Sequence, residues 1–363
     1  MSVIIFLIIL IVLVLVHELG HFLVAKWSGI EVKEFGLGFP PRIWGKLWRG
    51  TLYSINWIPF GGFVKIFGED PEELPTTEEE KKKNFSFKPR PIQALVLIAG
   101  VTFNFLFAWL LISIGFMTGL PSSVGVPTSG QVINPQVVIT EVVQNSPAEK
   151  AGLHVGDKIV SLQAGAQKIE NLTVSGVQNF IGSHGQDTVK VEYQRGAEDV
   201  FTSVTPVAGI VDGKSAIGIA MDMIGILKLS FFQAFYEGGK LAVYLVQNVA
   251  VGLGTFIWDA VTLKAHFSQV TGPVGIVSLV GSAEQLGFVY LLSLSAFISI
   301  NLAVINLLPF PALDGGRLLF VLIEAIKRSP IRPKVANMIN SIGFAILIIL
   351  MVVVTLHDIV KLF

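Results

Sequence analysis

The sequence predicts a polytopic α-helical membrane protein of about four transmembrane helices, with a small α+β domain inserted between the second and the third. Three observations favour this fold class. Of the 363 residues, 52% are hydrophobic and only 14% are charged, whereas soluble domains carry about 25% charged residues. Several apolar stretches are long enough to cross a hydrocarbon core of about 30 Å. Finally, the middle of the chain changes composition and shows the alternation typical of strands.

The first apolar stretch covers residues 1–25 and contains four polar side chains. A helix of about 24 residues rises roughly 36 Å, enough to span the bilayer. This stretch has no basic start and no small-residue cleavage site, so we interpret it as a retained helix and not as a signal peptide. Further transmembrane helices are predicted at Ile92–Leu120, Phe288–Leu308 and Val335–Leu356.

One more stretch, Leu229–Ile257, has an ambiguous pattern. Its apolar run is interrupted by Glu237, Gly238, Gly239, Lys240 and Asn248. It could span the membrane, or it could lie in the interface as an amphipathic helix.

The distribution of lysine and arginine predicts the orientation of these helices. Many lysine and arginine residues lie between the first two helices, from Lys26 to Arg90. Four more lie between the last two helices, from Lys327 to Lys334. Positively charged loops stay in the cytoplasm. We therefore expect the N-terminus and the middle segment to lie outside, and the charged run Glu69–Lys83 to be a solvated cytoplasmic loop.

The middle segment, 124–222, resembles a bacterial PDZ domain. Its run Ser-Pro-Ala-x-x-Ala-Gly-Leu-x-x-Gly-Asp begins at Ser146 with a capping box. The resemblance implies a groove that binds an extended peptide as an added strand; another small α+β domain is the alternative. The predicted elements are a strand at Val137–Val143, a helix capped by Ser146 and ended by Gly152, a turn at Gly156-Asp157, a strand at Lys158–Leu162, a helix at Val174–Ile181 and a strand at Val189–Tyr193.

Charge balance and cysteine content exclude several functions. The chain has 26 Lys+Arg and 26 Asp+Glu, so a nucleic-acid partner has no electrostatic support. With no cysteine, disulfides and thiolate metal sites are excluded. Any metal must be held by His, Asp, Glu or backbone oxygen.

His17-Glu18-Leu19-Gly20-His21 is the most informative motif. Helical residues i and i+4 lie one turn apart on the same face, so both imidazoles can bind one zinc ion. Glu18 lies at the edge of that face, where it can take a proton from an attacking water. Ionisable groups inside a membrane helix are costly unless buried and paired, so a purely structural role is less favoured. His17 lies roughly 24 Å along the helix from Met1, toward the cytoplasmic side.

The segment from Asn306 to Gly316 contains a candidate third ligand, Asp314. Its two prolines end the preceding apolar helix near the membrane, and irregular backbone at that depth is tolerated only where it lines a protein cavity. A zinc ion is a suitable partner for a carboxylate there. The alternative is a helix terminus with a capping Asp314 and a glycine turn. His357 is a weaker candidate, more typical of a polar helix end.

Two glycine-rich segments between the first two helices, Phe35–Phe39 and Leu52–Ile66, predict a re-entrant β-hairpin. If the predicted zinc centre hydrolyses peptide bonds, a helical substrate must first be unwound, because a helix hides its peptide bonds, and this hairpin could pair with the unwound chain. Gly61, Gly62 and Phe63 are the candidate substrate-binding residues here. A purely structural amphipathic loop is the alternative.

These motifs together resemble the site-two protease family of intramembrane metalloproteases, in its bacterial branch. The resemblance implies His17, His21 and Asp314 as zinc ligands, Glu18 as general base and Asn306 in substrate handling. Room for only one PDZ domain, and Gly100-Val101 where Gly-Pro is common, are departures from the family pattern. Further matches, which extend the resemblance over nearly the whole chain, are Phe35–Pro40, Pro59–Val64, Asn104-Phe105 and Gly272–Ile276.

A zinc site requires His17, His21 and Asp314 at the same depth in the membrane. If Leu229–Ile257 crossed the bilayer, the next helix would deliver Asp314 to the opposite face. We therefore expect that segment to be interfacial or re-entrant on the outer side.

The expected function is zinc-dependent hydrolysis of peptide bonds within transmembrane segments of pre-cleaved single-pass proteins, such as anti-sigma factors and remnant signal peptides. The expected location is the bacterial cytoplasmic membrane, with the lipid bilayer and these substrates as partners and no nucleic acid. The expected organisation is a membrane region at 1–123, an outer PDZ domain at 124–222 and a second membrane region at 223–363. The alternatives are an inactive membrane scaffold that displays a PDZ domain, and a metal transporter.

Overall fold

The chain forms two compact units in the computed structural model. The first comprises Met1–Ser113 and Gly238–Phe363, and the second comprises Ile114–Glu237. The second unit contains the segment 124–222 that the sequence assigned to an α+β domain. The structure describes residues 1–69, 75–125, 130–185, 187–196, 198–211, 214–262, 264 and 271–360.

Helices frame the chain at both ends, and strands dominate its middle. The N-terminal part contains α1 (Ser2–Trp27), β1 (Val32–Trp48), β2 (Thr51–Ile66), α2 (Glu78–Lys83), a 3₁₀ turn (Phe85–Phe87) and α3 (Arg90–Thr118). The middle contains β3 (Leu120–Ser123), β4 (Val132–Val142), α4 (Pro147–Lys150), β5 (Lys158–Ala164), β6 (Gln167–Ile169), α5 (Val174–Ser183), β7 (Val189–Arg195), β8 (Glu198–Val204), β9 (Val207–Val211), β10 (Lys214–Ala216) and β11 (Ile219–Leu227). The C-terminal part contains α6 (Phe231–Val261), α7 (Pro273–Leu286), α8 (Phe288–Asn306), α9 (Asp314–Lys327) and α10 (Pro333–Val360).

Each predicted apolar stretch forms a helix. Among the described residues, five helices are long and apolar enough to cross a membrane, namely α1, α3, α6, α8 and α10. The fold is therefore that of a helical membrane protein with a β-rich unit, as the composition predicted.

Helix α6 runs without a break through the glycines that interrupt its apolar pattern. A side chain at Gly238 would overlap Ser113 of α3, and one at Gly239 would press against the Trp109 ring. Their role is therefore to let α6 approach α3 closely, which a pattern of hydropathy does not reveal.

Strands β1 and β2 form the antiparallel hairpin that the glycine-rich segments predicted. Both residues at its tip, Arg49 and Gly50, have positive φ angles, of 47° and 76°, as a tight hairpin turn requires. The Asn56 side chain donates hydrogen bonds to the carbonyls of Leu37 and Gly38 across the irregular middle of the hairpin. Whether the hairpin re-enters the membrane stays a prediction.

The second unit is built on a seven-stranded antiparallel sheet. Its strand order is β3-β11-β4-β5-β7-β8, with β6 added on β5, while β9 and β10 form a separate hairpin. Helix α5 buries Val177, Phe180 and Ile181 in the core of this unit. The strands and helices predicted for this segment are all present.

Local hydrogen bonds explain two of its turns. Ser146 accepts from the backbone N–H of Glu149, while the Glu149 carboxylate accepts from the backbone N–H of Asn145, so the capping box is displaced by one residue. Asp157 is 1% exposed and accepts two hydrogen bonds from Arg195, at 2.8 and 2.7 Å. This hydrogen-bonded ion pair raises the pKa of Arg195, and it ties the Gly156-Asp157 turn to β7.

A carboxylate from a distant helix caps the N-terminus of α7. Asp358 of α10 is 6% exposed and accepts from the backbone N–H groups of Gly272, at 3.2 Å, and Gly275, at 2.8 Å. Negative charge is favourable at a helix N-terminus, where backbone N–H groups lack partners. A side chain at Gly272 would collide with this carboxylate, and one at Gly275 would collide with Thr271, which explains why both positions are glycine.

Replacement of Asp358 by alanine should lower the stability of the protein by roughly 1–3 kcal/mol, because two buried N–H groups lose their acceptor. Asp358→Asn keeps one acceptor oxygen and should cost less. Thermal unfolding in detergent measures both effects. Thr355→Ala, whose hydroxyl bonds to Met351 in its own helix, is the control; an Asp358→Ala variant as stable as this control would contradict the capping role.

Candidate metal centre

Helix α1 presents two imidazoles to the interior of the first unit. His17 and His21 are 8% and 7% exposed, and their spacing places both on one face of the helix. Their Nε2 atoms lie 3.2 Å apart. A side chain at Gly20 would overlap the backbone of Ala99, so α1 and α3 cross in direct backbone contact beside this pair.

One face of α3 covers the two histidines with three residues spaced four apart. The carbonyl oxygen of Val96 lies 2.8 Å from His21 Nδ1. A methyl group at Gly100 would overlap both imidazole rings. The side-chain nitrogen of Asn104 lies 3.3 Å from His17 Nδ1.

Asp314 reaches the histidines from the chain break between α8 and α9. Helix α8 ends at Asn306, and α9 begins at Asp314 with Leu313 as its N-cap. Side chains at Gly315 and Gly316 would overlap the backbone of the preceding turn. Asp314 is therefore not a capping residue, and the two glycines are not a turn: they let the first turn of α9 pack tightly and direct the carboxylate to α1.

The three predicted ligands converge on one small space. Asp314 Oδ2 lies 3.0 Å from His17 Nε2 and 3.3 Å from His21 Nε2. All three ligand atoms lie within 4.8 Å of one another. Asp314 Oδ2 is buried, and no hydrogen bond of good geometry satisfies it among the described residues. Two imidazole nitrogens and a carboxylate oxygen crowded in this way fit a shared divalent cation, and this donor set suits zinc.

Glu18 lines a cavity at this centre together with the predicted substrate residue Asn306. The cavity has a volume of about 260 Å³, and His17, Asn104 and Asp314 also line it. The structure thus brings the candidate base, two of the three candidate ligands and Asn306 around one space.

The hairpin approaches the centre through β2. Phe63 lines a second cavity, of about 190 Å³, together with Glu18 and Asp314. A side chain at Gly62 would contact Glu18 and Val14 of α1. Gly61 has a φ of 92°, and neither Gly61 nor Gly62 lines a small cavity, so of the three candidate residues only Phe63 borders the centre.

Two charged residues that sequence reasoning missed also line the smaller cavity. Arg317 of α9 forms an ion pair with Glu69, and both also border a wide cavity of about 1120 Å³ bounded by β2, α9 and α10. Glu69 lies in the charged run that predicted only a solvated loop. Arg317 follows Asp314 by three residues, about one helical turn, and this spacing could have indicated it.

A helix that carries two imidazoles and an adjacent glutamate, met by a carboxylate from a distant helix, is the arrangement typical of a metallopeptidase centre. Comparison with known proteins agrees. The model of peptidase family M50 matches residues 5–350.

Bacterial relatives match over almost their whole length. A candidate zinc metalloprotease of Clostridium perfringens, CPE1693, is 36% identical over 349 residues, which cover 96% of this chain and 95% of the relative. The zinc metalloprotease RasP of Geobacillus kaustophilus is 30% identical over 439 residues, covering 100% of this chain and 98% of the relative. The chain therefore belongs to peptidase family M50, the site-two type of zinc metalloprotease, as its motifs predicted.

Gly100→Ala should displace the imidazoles and reduce bound zinc at least tenfold, because its methyl group would occupy their space. Gly252→Ala on α6, where a methyl group meets open space, is the matched control. Metal analysis of the purified proteins after dialysis compares the two. Equal zinc in both variants would show that α3 does not constrain the histidines.

Proposed function

We propose that this protein hydrolyses peptide bonds within the transmembrane segments of single-pass membrane proteins that have already lost their outer domains. The observation that carries the proposal is the convergence of His17, His21 and Asp314 beside Glu18, on a helix apolar enough to cross a membrane. Soluble peptides would not need a centre at this depth.

The zinc ligands in this proposal are His17 and His21, through Nε2, and Asp314, through Oδ2. Bound there, zinc would act as a Lewis acid that lowers the pKa of water and polarises a carbonyl group. Glu18 takes a proton from the attacking water while the water oxygen bonds to the scissile carbonyl carbon. Glu18 then delivers that proton to the amide nitrogen as the carbon–nitrogen bond breaks.

Asn306 is proposed to bind the substrate at the bond that is cleaved. Its side chain lies in the wall of the cavity that Glu18 also lines. Its amide N–H can donate a hydrogen bond to the carbonyl oxygen, where negative charge develops during attack.

The hairpin is proposed to hold the substrate in an extended form. Strand β2 pairs with β1 through one edge, and Phe63 and Val64 of β2 line the cavity at the metal centre. An unwound substrate that adds to the other edge of β2 would present its peptide bonds to Glu18. Gly61 and Gly62 leave room for that chain, since they carry no side chain.

The 124–222 segment is proposed to be an extracytoplasmic PDZ domain that excludes substrates with large outer domains or reads their new C-termini. Strand β3 covers β11 only at Ile224–Leu227, and α5 packs beside β10 and β11. A strand edge beside a helix is the arrangement into which a PDZ ligand adds.

The bilayer orientation follows from the charged loops and from α7. One end of α7 contacts Asp358, near the end of α10, and at the other end Glu284 accepts a hydrogen bond from Ser2, at the start of α1. If the loops rich in lysine and arginine are cytoplasmic, both of these contacts lie on the outer side. We therefore retain the proposal that α6 is interfacial or re-entrant, because a spanning α6 would require the short segment 262–272 to cross back to the outer side.

Glu18→Gln should retain zinc and lose at least a hundredfold in cleavage rate, because only the proton acceptor is removed. Asp314→Ala should lose the zinc as well, and Glu79→Gln on the exposed helix α2 is the control. The readouts are metal content and cleavage of a single-pass substrate, prepared with and without a folded outer domain. Full activity of Glu18→Gln would refute the mechanism, and equal cleavage of both substrates would refute the size filter.

The absence of cysteine allows a clean test of topology. Ser282→Cys on α7 should react with a membrane-impermeant maleimide added outside intact cells, whereas Thr76→Cys, in the loop predicted to be cytoplasmic, should react only after permeabilisation. Protection of Cys at position 282 in intact cells, with labelling after permeabilisation, would place α7 in the cytoplasm and make α6 a spanning helix.

A further inference from the structure

Asn104 is a fully buried polar side chain beside the metal centre, and the proposed mechanism does not use it. It lies on α3 with 0% of its surface exposed. Its side-chain nitrogen lies 3.3 Å from His17 Nδ1, on the side of the ring opposite Nε2. Ser299 of α8 fixes this part of α3, because its hydroxyl donates to the backbone carbonyl of Asn104 at 2.8 Å.

The neighbouring histidine shows what a metal-binding imidazole requires. His21 Nδ1 lies 2.8 Å from the carbonyl oxygen of Val96. A carbonyl oxygen can only accept, so the hydrogen of the neutral ring must be on Nδ1. The lone pair is then on Nε2, which faces His17 and Asp314.

His17 needs the same tautomer, and the two amide orientations of Asn104 have opposite effects on it. If the amide nitrogen faces His17, it donates to Nδ1, and the ring hydrogen must sit on Nε2, between His21 and Asp314. If the amide oxygen faces His17, it accepts from Nδ1–H and leaves the Nε2 lone pair free for a metal.

The hydrogen bonds of Asn104 permit the second orientation, which the metal-binding tautomer of His17 requires. With nitrogen toward His17, Asn104 Oδ1 is buried and has no hydrogen-bond partner among the described residues. The two amide atoms are nearly equal in size, so their assignment follows from the hydrogen-bond network. Exchanging them loses no hydrogen bond among the described residues, because a single amide atom has a partner in either orientation.

We propose that Asn104 is a positioning residue of the metal centre: its Oδ1 accepts a hydrogen bond from His17 Nδ1–H and holds His17 in the tautomer that binds metal through Nε2. The inference rests on the proposed zinc ligands. It gives His17 a side-chain acceptor in the place that the Val96 carbonyl takes for His21. Both acceptors, with Gly100 between them, lie along one face of α3.

The test compares Asn104→Asp with Asn104→Leu in the full-length protein in detergent. Aspartate offers only acceptor oxygens and should bind zinc as tightly as the wild type, within about threefold. Leucine offers no acceptor and should weaken zinc binding 10–100-fold, the usual effect of losing such a partner. Zinc dissociation constants come from competition with a chelator, so the readout does not depend on proteolysis.

Matched controls separate this role from general effects of polarity and packing. Asn301 on α8 donates to Phe297 in its own helix, and its Asp and Leu variants should leave zinc affinity unchanged. Thermal unfolding of the metal-free proteins reports any structural loss, and Asn104→Ala replaces the leucine variant if that protein does not fold. The visible spectrum of bound Co²⁺ should be the same for the wild type and Asn104→Asp, which shows that the aspartate has not become a ligand itself.

The possible results are decisive. Weak zinc binding by Asn104→Asp, equal to that of Asn104→Leu, would mean that the amide donates to His17, and unchanged binding by Asn104→Leu would mean that it plays no part; either result overturns the inference and leaves the zinc ligands intact. Failure of the wild type to bind zinc would overturn the proposed ligand set, and this inference with it.

Discussion

The cost of burying three ionisable side chains among apolar helices is the constraint on which the membrane unit depends. His17, His21 and Asp314 would each be unfavourable alone in such surroundings. Together they place two nitrogens and one carboxylate oxygen within 4.8 Å, where a divalent cation can satisfy all three. Their partners on α3, a backbone carbonyl and a buried amide, hold the two rings in place. Removing one member of such a buried group leaves the others without a partner and is destabilising. The candidate ligands and the groups that support them therefore depend on one another.

Glycine makes this crowding possible. Gly20 allows α1 to touch the backbone of α3, Gly100 leaves space for both imidazoles, and Gly315 and Gly316 let α9 start against the turn that follows α8. Each of these contacts brings backbone within a distance that a Cβ atom would prevent. The candidate metal centre thus depends on close helix packing as much as on its proposed ligands, in keeping with the importance of small residues between membrane helices.

The surroundings of the centre suit a substrate that enters as an extended chain. Two small cavities border Glu18, one lined by Asn306 and the other by Phe63 of the hairpin. The second of these shares Glu69 and Arg317 with a much wider cavity. Phe63, Val64 and Ile66 of β2 line both of these cavities, which supports the proposal that an extended substrate pairs with β2.

The sequence by itself determined the membrane class, the helical stretches, the strands of the middle segment and which residues are the candidate ligands. These features depend on hydropathy and on short spacings such as that of His17 and His21. Both are local, so they can be read from the sequence alone. Only the tertiary structure decided that Gly238 and Gly239 are packing surfaces and not helix breaks, that Asp314 begins a helix, and that Asp358 caps α7 from 83 residues or more away. It alone revealed the Glu69–Arg317 pair and the contact of Asn104 with His17, which are separated by 87 residues. Such contacts join residues far apart in the chain. The hydropathy pattern of one helix does not show which other helix it contacts, because that depends on how the helices pack.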